Sequence, residues 1–104
     1  MTCVAACSTL DLYSSPNQPP TGDAVRTAVR TVIAQAKLAG AIEQSPLRPA
    51  HRISPGDWLV CLRGNDPQPH TPYAVFFAQG KYVDTRAAVL IDGCDHDDYS
   101  PLAP

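Results

Sequence analysis

The chain of 104 residues is long enough for one small domain, and 44% apolar residues are enough to give it a packed core. A formal charge of -2 excludes the basic surplus expected of a nucleic-acid binder, and no run of about 18 apolar residues is present to span a bilayer as a helix. Eleven prolines, gathered near 16–20, 46–55, 67–72 and the C-terminus, cut the chain into short elements.

The opening stretch comes first. Val4-Ala5-Ala6-Cys7-Ser8 resembles the lipobox of bacterial lipoproteins, in which an aliphatic residue and two small residues precede the cysteine that receives lipid. Small residues let an extended segment enter a peptidase cleft, and the thiol is the nucleophile that is alkylated. Residues 8–20 are rich in Ser, Pro, Asn and Gln, a composition that resists helix and suits a flexible tether. Six residues before Cys7 are too few for a signal peptide, which needs a charged start and an apolar run of about 7–15 residues. The expectation is therefore that such a leader is encoded upstream of this start. The plainer reading is a disordered N-terminus with two incidental cysteines. Chain organisation is thus expected as 1–20, a lipobox remnant and tether, followed by 21–104, a single folded domain.

Four cysteines, Cys3, Cys7, Cys61 and Cys94, allow three pairings. They also fit a reduced cytosolic chain with four free thiols. A zinc site built from Cys3 and Cys7 lacks a second ligand pair nearby.

From Thr21 to Ala39, Val25, Val29, Val32, Ile33 and Ala36 repeat on one face of a 3.6-residue period, which predicts a helix. Thr21 or Asp23 is the expected cap at its start and Gly40 the expected stop. Arg26, Arg30 and Lys37 run along one edge of the stripe. They are read as covering the rim of the core with their stems rather than as touching anionic headgroups. Residues 41–53 read as irregular, with a short edge strand near Ala50–Ile53. Asp57–Arg63 reads as a strand with Trp58, Val60 and Leu62 on one face and Leu59 and Cys61 on the other. Tyr73–Ala78 and Lys81–Ile91 read as a hairpin through Gln79-Gly80, with Phe77 opposite Tyr82 and Phe76 opposite Val83. A bulge is expected in the second strand, whose alternation is imperfect. Residues 92–104 read as a tail without period. The predicted architecture is α+β, with one N-terminal helix packed on a three- to four-stranded antiparallel sheet in two layers.

"DWLVCLR", "YAVFFAQGKYVDTRAAVLIDGC" and "YSPL" together resemble a group of small bacterial envelope lipoproteins of unassigned function. The likeness covers most of Thr21–Leu102. It implies a lipid anchor at Cys7, loss of Cys3 with the leader, and a bridge between Cys61 and Cys94, and it brings no catalytic residues. It also implies a periplasm-facing, lipid-anchored protein of the envelope. Ser8 after the cysteine favours the outer over the inner membrane. The partner would be the membrane together with an envelope protein or the cell wall, with no nucleic acid and no cofactor.

Asp92, Asp95, His96, Asp97 and Asp98 form the most polar cluster. It offers metal-ligating oxygen and nitrogen atoms, yet lacks the mid-loop glycine of an EF-hand, and the plainer reading is a solvated acidic tail. No G-x-S-x-G motif or glycine-rich phosphate loop is present, and His51, His70 and His96 lie far apart, so the sequence predicts no enzyme. Cys61, mid-strand among apolar neighbours, reads as a disulfide or an inert thiol rather than a nucleophile. The alternatives from other classes are a soluble cytosolic binding or regulatory domain and a small metal-binding protein using Asp92–Asp98.

Overall fold

The structure is a computed structural model, and it describes residues 18–64 and 71–102. The expected lipid site at Cys7, and Cys3 with it, lie outside the described residues.

Helix α1 runs Gly22–Ala36. Thr21 caps it, with Oγ1 accepting the Ala24 N–H at 3.1 Å. It ends earlier than the expected Gly40, because Lys37 itself takes the left-handed conformation at φ 55°. The Lys37 N–H donates to the Ala34 carbonyl at 3.3 Å and the Leu38 N–H to the Ile33 carbonyl at 3.1 Å, the paired bonds of a Schellman motif. Leu38 and Ile33, the two apolar partners of that motif, both pack on the core. Pro20, one residue ahead of the cap, is buried.

The strands are β1 (Glu43–Gln44), β2 (Arg48–Pro49), β3 (Trp58–Arg63), β4 (Tyr73–Ala78), β5 (Lys81–Ala87) and β6 (Ser100–Pro101). All pair antiparallel in one sheet with the order β5-β4-β3-β1-β6, and β2 also pairs with β3. The α+β class stands, but among the described residues the sheet has six strands where three or four were expected. The additional strands are two-residue pieces, too short to leave a periodic signal.

Two of these pieces, β1 and β2, flank the same edge of β3, at Leu62–Arg63 and at Trp58–Leu59. The step between them falls at Ser45-Pro46. There the Ser45 side chain takes over the ladder, its Oγ accepting the Cys61 N–H at 2.7 Å. The edge strand expected near Ala50–Ile53 therefore lies earlier; the Ala50 N–H still donates to the Asp57 carbonyl at 2.9 Å, and the chain then turns, with the Ser54 N–H donating to the His51 carbonyl. Gly56 is where the chain presses on the sheet: a Cβ there would stand 2.7 Å from the Phe77 carbonyl oxygen.

Both faces of β3 and β4 are buried. On the first face, Val60, Leu62, Val75 and Phe77 meet Ala28, Val29 and Val32 of α1. The second face holds Leu59, Cys61, Ala74 and Phe76 with Cys94, bordered by Ala50, Ala88 and Tyr99. The expected division of β3 residues between faces is what the core shows. The two-layer expectation omitted the second cover, which is the segment after β5.

The hairpin turn has positive φ at Gln79 (53°) and Gly80 (79°), as a tight turn matched to strand twist requires. Phe77 opposes Tyr82 as expected, their rings edge to face at 6.3 Å. Phe76 opposes Asp84 and not Val83, because the register shifts between Phe76 and Phe77 and leaves Val83 in the bulge. Strand β5 also stops at Ala87 rather than Ile91. The Asp92 carboxylate accepts the Val89 N–H at 3.0 Å, closing a 3-10 turn over Leu90–Asp92 in place of further strand.

Candidate functional site

Side-chain parity explains what gathers on the second face. Arg48 of β2 lies beside Leu59, Cys61 and Arg63 of β3 share a face, and Arg86 of β5 lies beside Ala74. Three arginines and one cysteine thus point at the segment 88–99. That segment makes two 3-10 turns, Leu90–Asp92 and Cys94–His96, joined at Gly93 with φ 70°.

Cys61 and Cys94, 33 residues apart in sequence, stand with Cα atoms 5.6 Å apart and sulfurs at 2.11 Å, the distance of a disulfide. In that state Cys61 carries no thiol. Asp97 Oδ2 lies 3.0 Å from the Cys61 sulfur. Arg48 grips the same carboxylate, Nη2 to Oδ2 at 2.6 Å and Nε to Oδ1 at 3.0 Å, and its Nη2 also donates to the Asp92 carbonyl. Arg86 holds the Asp92 carboxylate with bonds of 2.8 and 3.2 Å. Arg63 lies 3.9 Å over the Tyr99 ring and bonds Glu43 at 2.7 Å, while the Tyr99 hydroxyl donates to the Cys94 carbonyl at 2.8 Å.

The electrostatics follow from burial and pairing. The Asp92 side chain is 0% exposed and that of Asp97 9%. Burial opposes the charge on Asp92, but the bonds from Arg86 and Val89 and the positive charges of Arg86 and Arg48 outweigh it. Its carboxyl therefore titrates below the ordinary range. Burial, with Asp97 beside it, pushes the Tyr99 hydroxyl up to about 12.

The solvated-tail reading is thus corrected for Asp92 and Asp97, which are engaged by arginines, and holds for the exposed Asp95, His96 and Asp98. The five residues Asp92, Asp95, His96, Asp97 and Asp98 do not converge as one metal site. Among the described residues, the three metal-capable side chains that come together are Cys61, Cys94 and Asp97, with ligand atoms within 4.8 Å of one another. The sequence reading overlooked Arg48, Arg63 and Arg86. Their signal was the parity of Arg63 with Cys61, and the presence of an acidic cluster with no assigned counter-charge.

At one end of the sheet, Pro49, His51, Arg52, Asp57 and Trp58 line an open cleft of about 450 Å³. Its lining mixes an aromatic ring with groups of both charges. Among the described residues no helix is long and apolar enough to cross a membrane. Comparison with protein-family models, with curated proteins and with solved structures finds no match.

Proposed function

We propose that the protein is a lipid-anchored component of the bacterial cell envelope, tethered through Cys7 and carrying a non-enzymatic α+β module for binding or structure. The observation that carries this reading is the Cys61–Cys94 pair, held at disulfide distance in the middle of the sheet. Disulfides persist in oxidising compartments such as the periplasm and are rare in the cytosol. With Cys61 and Cys94 committed to each other, Cys7 in its lipobox-like setting is free for acylation. Two or more acyl chains on one cysteine hold a bilayer stably, whereas one binds only marginally. The cleft beside Trp58, with His51, Arg52 and Asp57, is the face this reading assigns to an envelope protein or cell-wall ligand. The outer membrane is the preferred location, on the strength of Ser8.

Expression of the full gene in its native host tests the reading. The mature N-terminal peptide should begin at Cys7 and carry the mass of its acyl chains, and Cys7→Ala should release the protein from membranes or leave it unprocessed. An unmodified peptide beginning at Met1 or Thr2 would refute it.

A further inference from the structure

The geometry points to a second state of the second face, in which Cys61, Cys94 and Asp97 of the reduced protein hold a zinc-class divalent cation. The site lies under the disulfide and does not depend on the anchor reading. Three observations carry it. The two sulfurs and a carboxylate oxygen already lie within 4.8 Å of one another, with Asp97 Oδ2 3.0 Å from the Cys61 sulfur. A tetrahedral zinc with Zn–S of about 2.3 Å and Zn–O of about 2.0–2.2 Å sets its ligand atoms about 3.5–3.8 Å apart, so on reduction the two sulfurs must part from their bonded 2.11 Å. Rotation of the cysteine side chains at a Cα separation of 5.6 Å is sufficient to reach that spacing.

The second observation is orientation. Arg48 holds Asp97 with both Nε and Nη2, so the carboxylate is fixed before any cation arrives, as outer partners fix ligands in metal sites. The third is charge. Two thiolates and one carboxylate place three negative charges in a largely buried site, and Arg48 offsets one of them. A divalent cation offsets the other two, and the loaded site is neutral. Without a cation, the reduced thiols must stay protonated to avoid a buried excess of charge. Three protein ligands leave the fourth position to water.

The redox step balances simply. A dithiol reductant gives two electrons and two protons to the Cys61–Cys94 bond and becomes a cyclic disulfide itself. Metal binding then releases the two thiol protons. Oxidation and metal loading therefore exclude each other at the same pair of sulfurs.

The test uses the full chain carrying Cys3→Ser and Cys7→Ser, so that only Cys61 and Cys94 contribute sulfur. The protein is reduced with dithiothreitol, freed of it without air, and titrated with Co²⁺. The expected result is a 1:1 complex with thiolate-to-cobalt charge-transfer bands and the intense visible bands of tetrahedral cobalt, all displaced by Zn²⁺. The oxidised protein should give no such spectrum. Asp97→Asn should weaken binding by about tenfold or more, and Cys94→Ser should abolish it. Should reduction unfold the chain, Zn²⁺ must restore its circular dichroism spectrum, since metal binding and folding are coupled. The proposal is overturned by a reduced chain that shows no cobalt spectrum, or that stays unfolded with Zn²⁺ present. Equal binding by the oxidised protein, or binding unaffected by Asp97→Asn, overturns it as well.

Discussion

Asp92 shows how one side chain decides where an element ends. It takes the Val89 N–H, stops β5 and binds Arg86, all while fully buried. Asp92→Asn keeps the shape and removes the charge, so the expected cost at neutral pH is about 2 kcal/mol, the scale of a hydrogen-bonded charged group. Urea unfolding of the two oxidised proteins measures it. The pH dependence has a definite sign. The folded-state carboxyl titrates below its unfolded value of about 3.9, so the contribution is whole above about pH 4 and fades as pH falls through the lower, folded value. The gap between wild type and Asp92→Asn should therefore close in acid. Lys37 offers the opposite case. It holds a left-handed conformation that costs a non-glycine residue about 1 kcal/mol, and Lys37→Gly should raise stability by about that amount.

At the scale of elements, the exposed edges of the sheet are blunted by local chemistry. Strand β5 bears the bulge at Val83, and Asp84 turns its carboxylate back to accept the Thr85 N–H at 2.8 Å, so that donor is already satisfied. Strand β6 is two residues long and ends in Pro101, which has no N–H to offer. Both are ways of keeping one sheet from adding to another. Asp84→Val frees the donor and adds apolar surface, and it should raise self-association, read by light scattering across a concentration series. The same elements show what the sequence could reveal. Helix α1 and strands β3 and β4 were legible because each carries a long apolar pattern of one period. The bulge was foreseen, but its position was not, because alternation in K-Y-V-D-T-R is satisfied equally well by either register. The pieces β1 and β6 left no trace, since two residues form no period, and β2 was expected a little too late, near Ala50–Ile53. The partner of Arg48 was harder to read than the parity of Arg63 with Cys61, because Arg48 and Asp97 lie 49 residues apart in the chain.

For the whole molecule, stability rests on covering two faces with two different devices. One is an amphipathic helix. The other is an irregular segment with few large apolar groups, fastened by the Cys61–Cys94 pair and by Arg48, Arg63 and Arg86. Closing a loop of this length with a disulfide is worth roughly 3–4 kcal/mol on the chain-entropy model, against about 5–10 kcal/mol for a domain of this size. Cys94→Ala should lower stability by about that amount in chemical denaturation. Phe76→Ala, which empties the second face while the bridge stays intact, should cost about 3–5 kcal/mol.

The pairing of β6 with β1, and of the Leu102 N–H with the Ile42 carbonyl at 2.9 Å, has a consequence for how the molecule is made. A ribosome delivers Ile42 early and Leu102 some sixty residues later. Until Leu102 has cleared the exit tunnel, the described sheet lacks an outer strand, and Cys94 and Tyr99, which cover the second face, emerge only shortly before it. Folding must therefore wait for nearly the whole described chain to emerge. The described sheet is complete only when Ser100–Pro101 reaches Glu43–Gln44, so one of its last-made strands closes on its first.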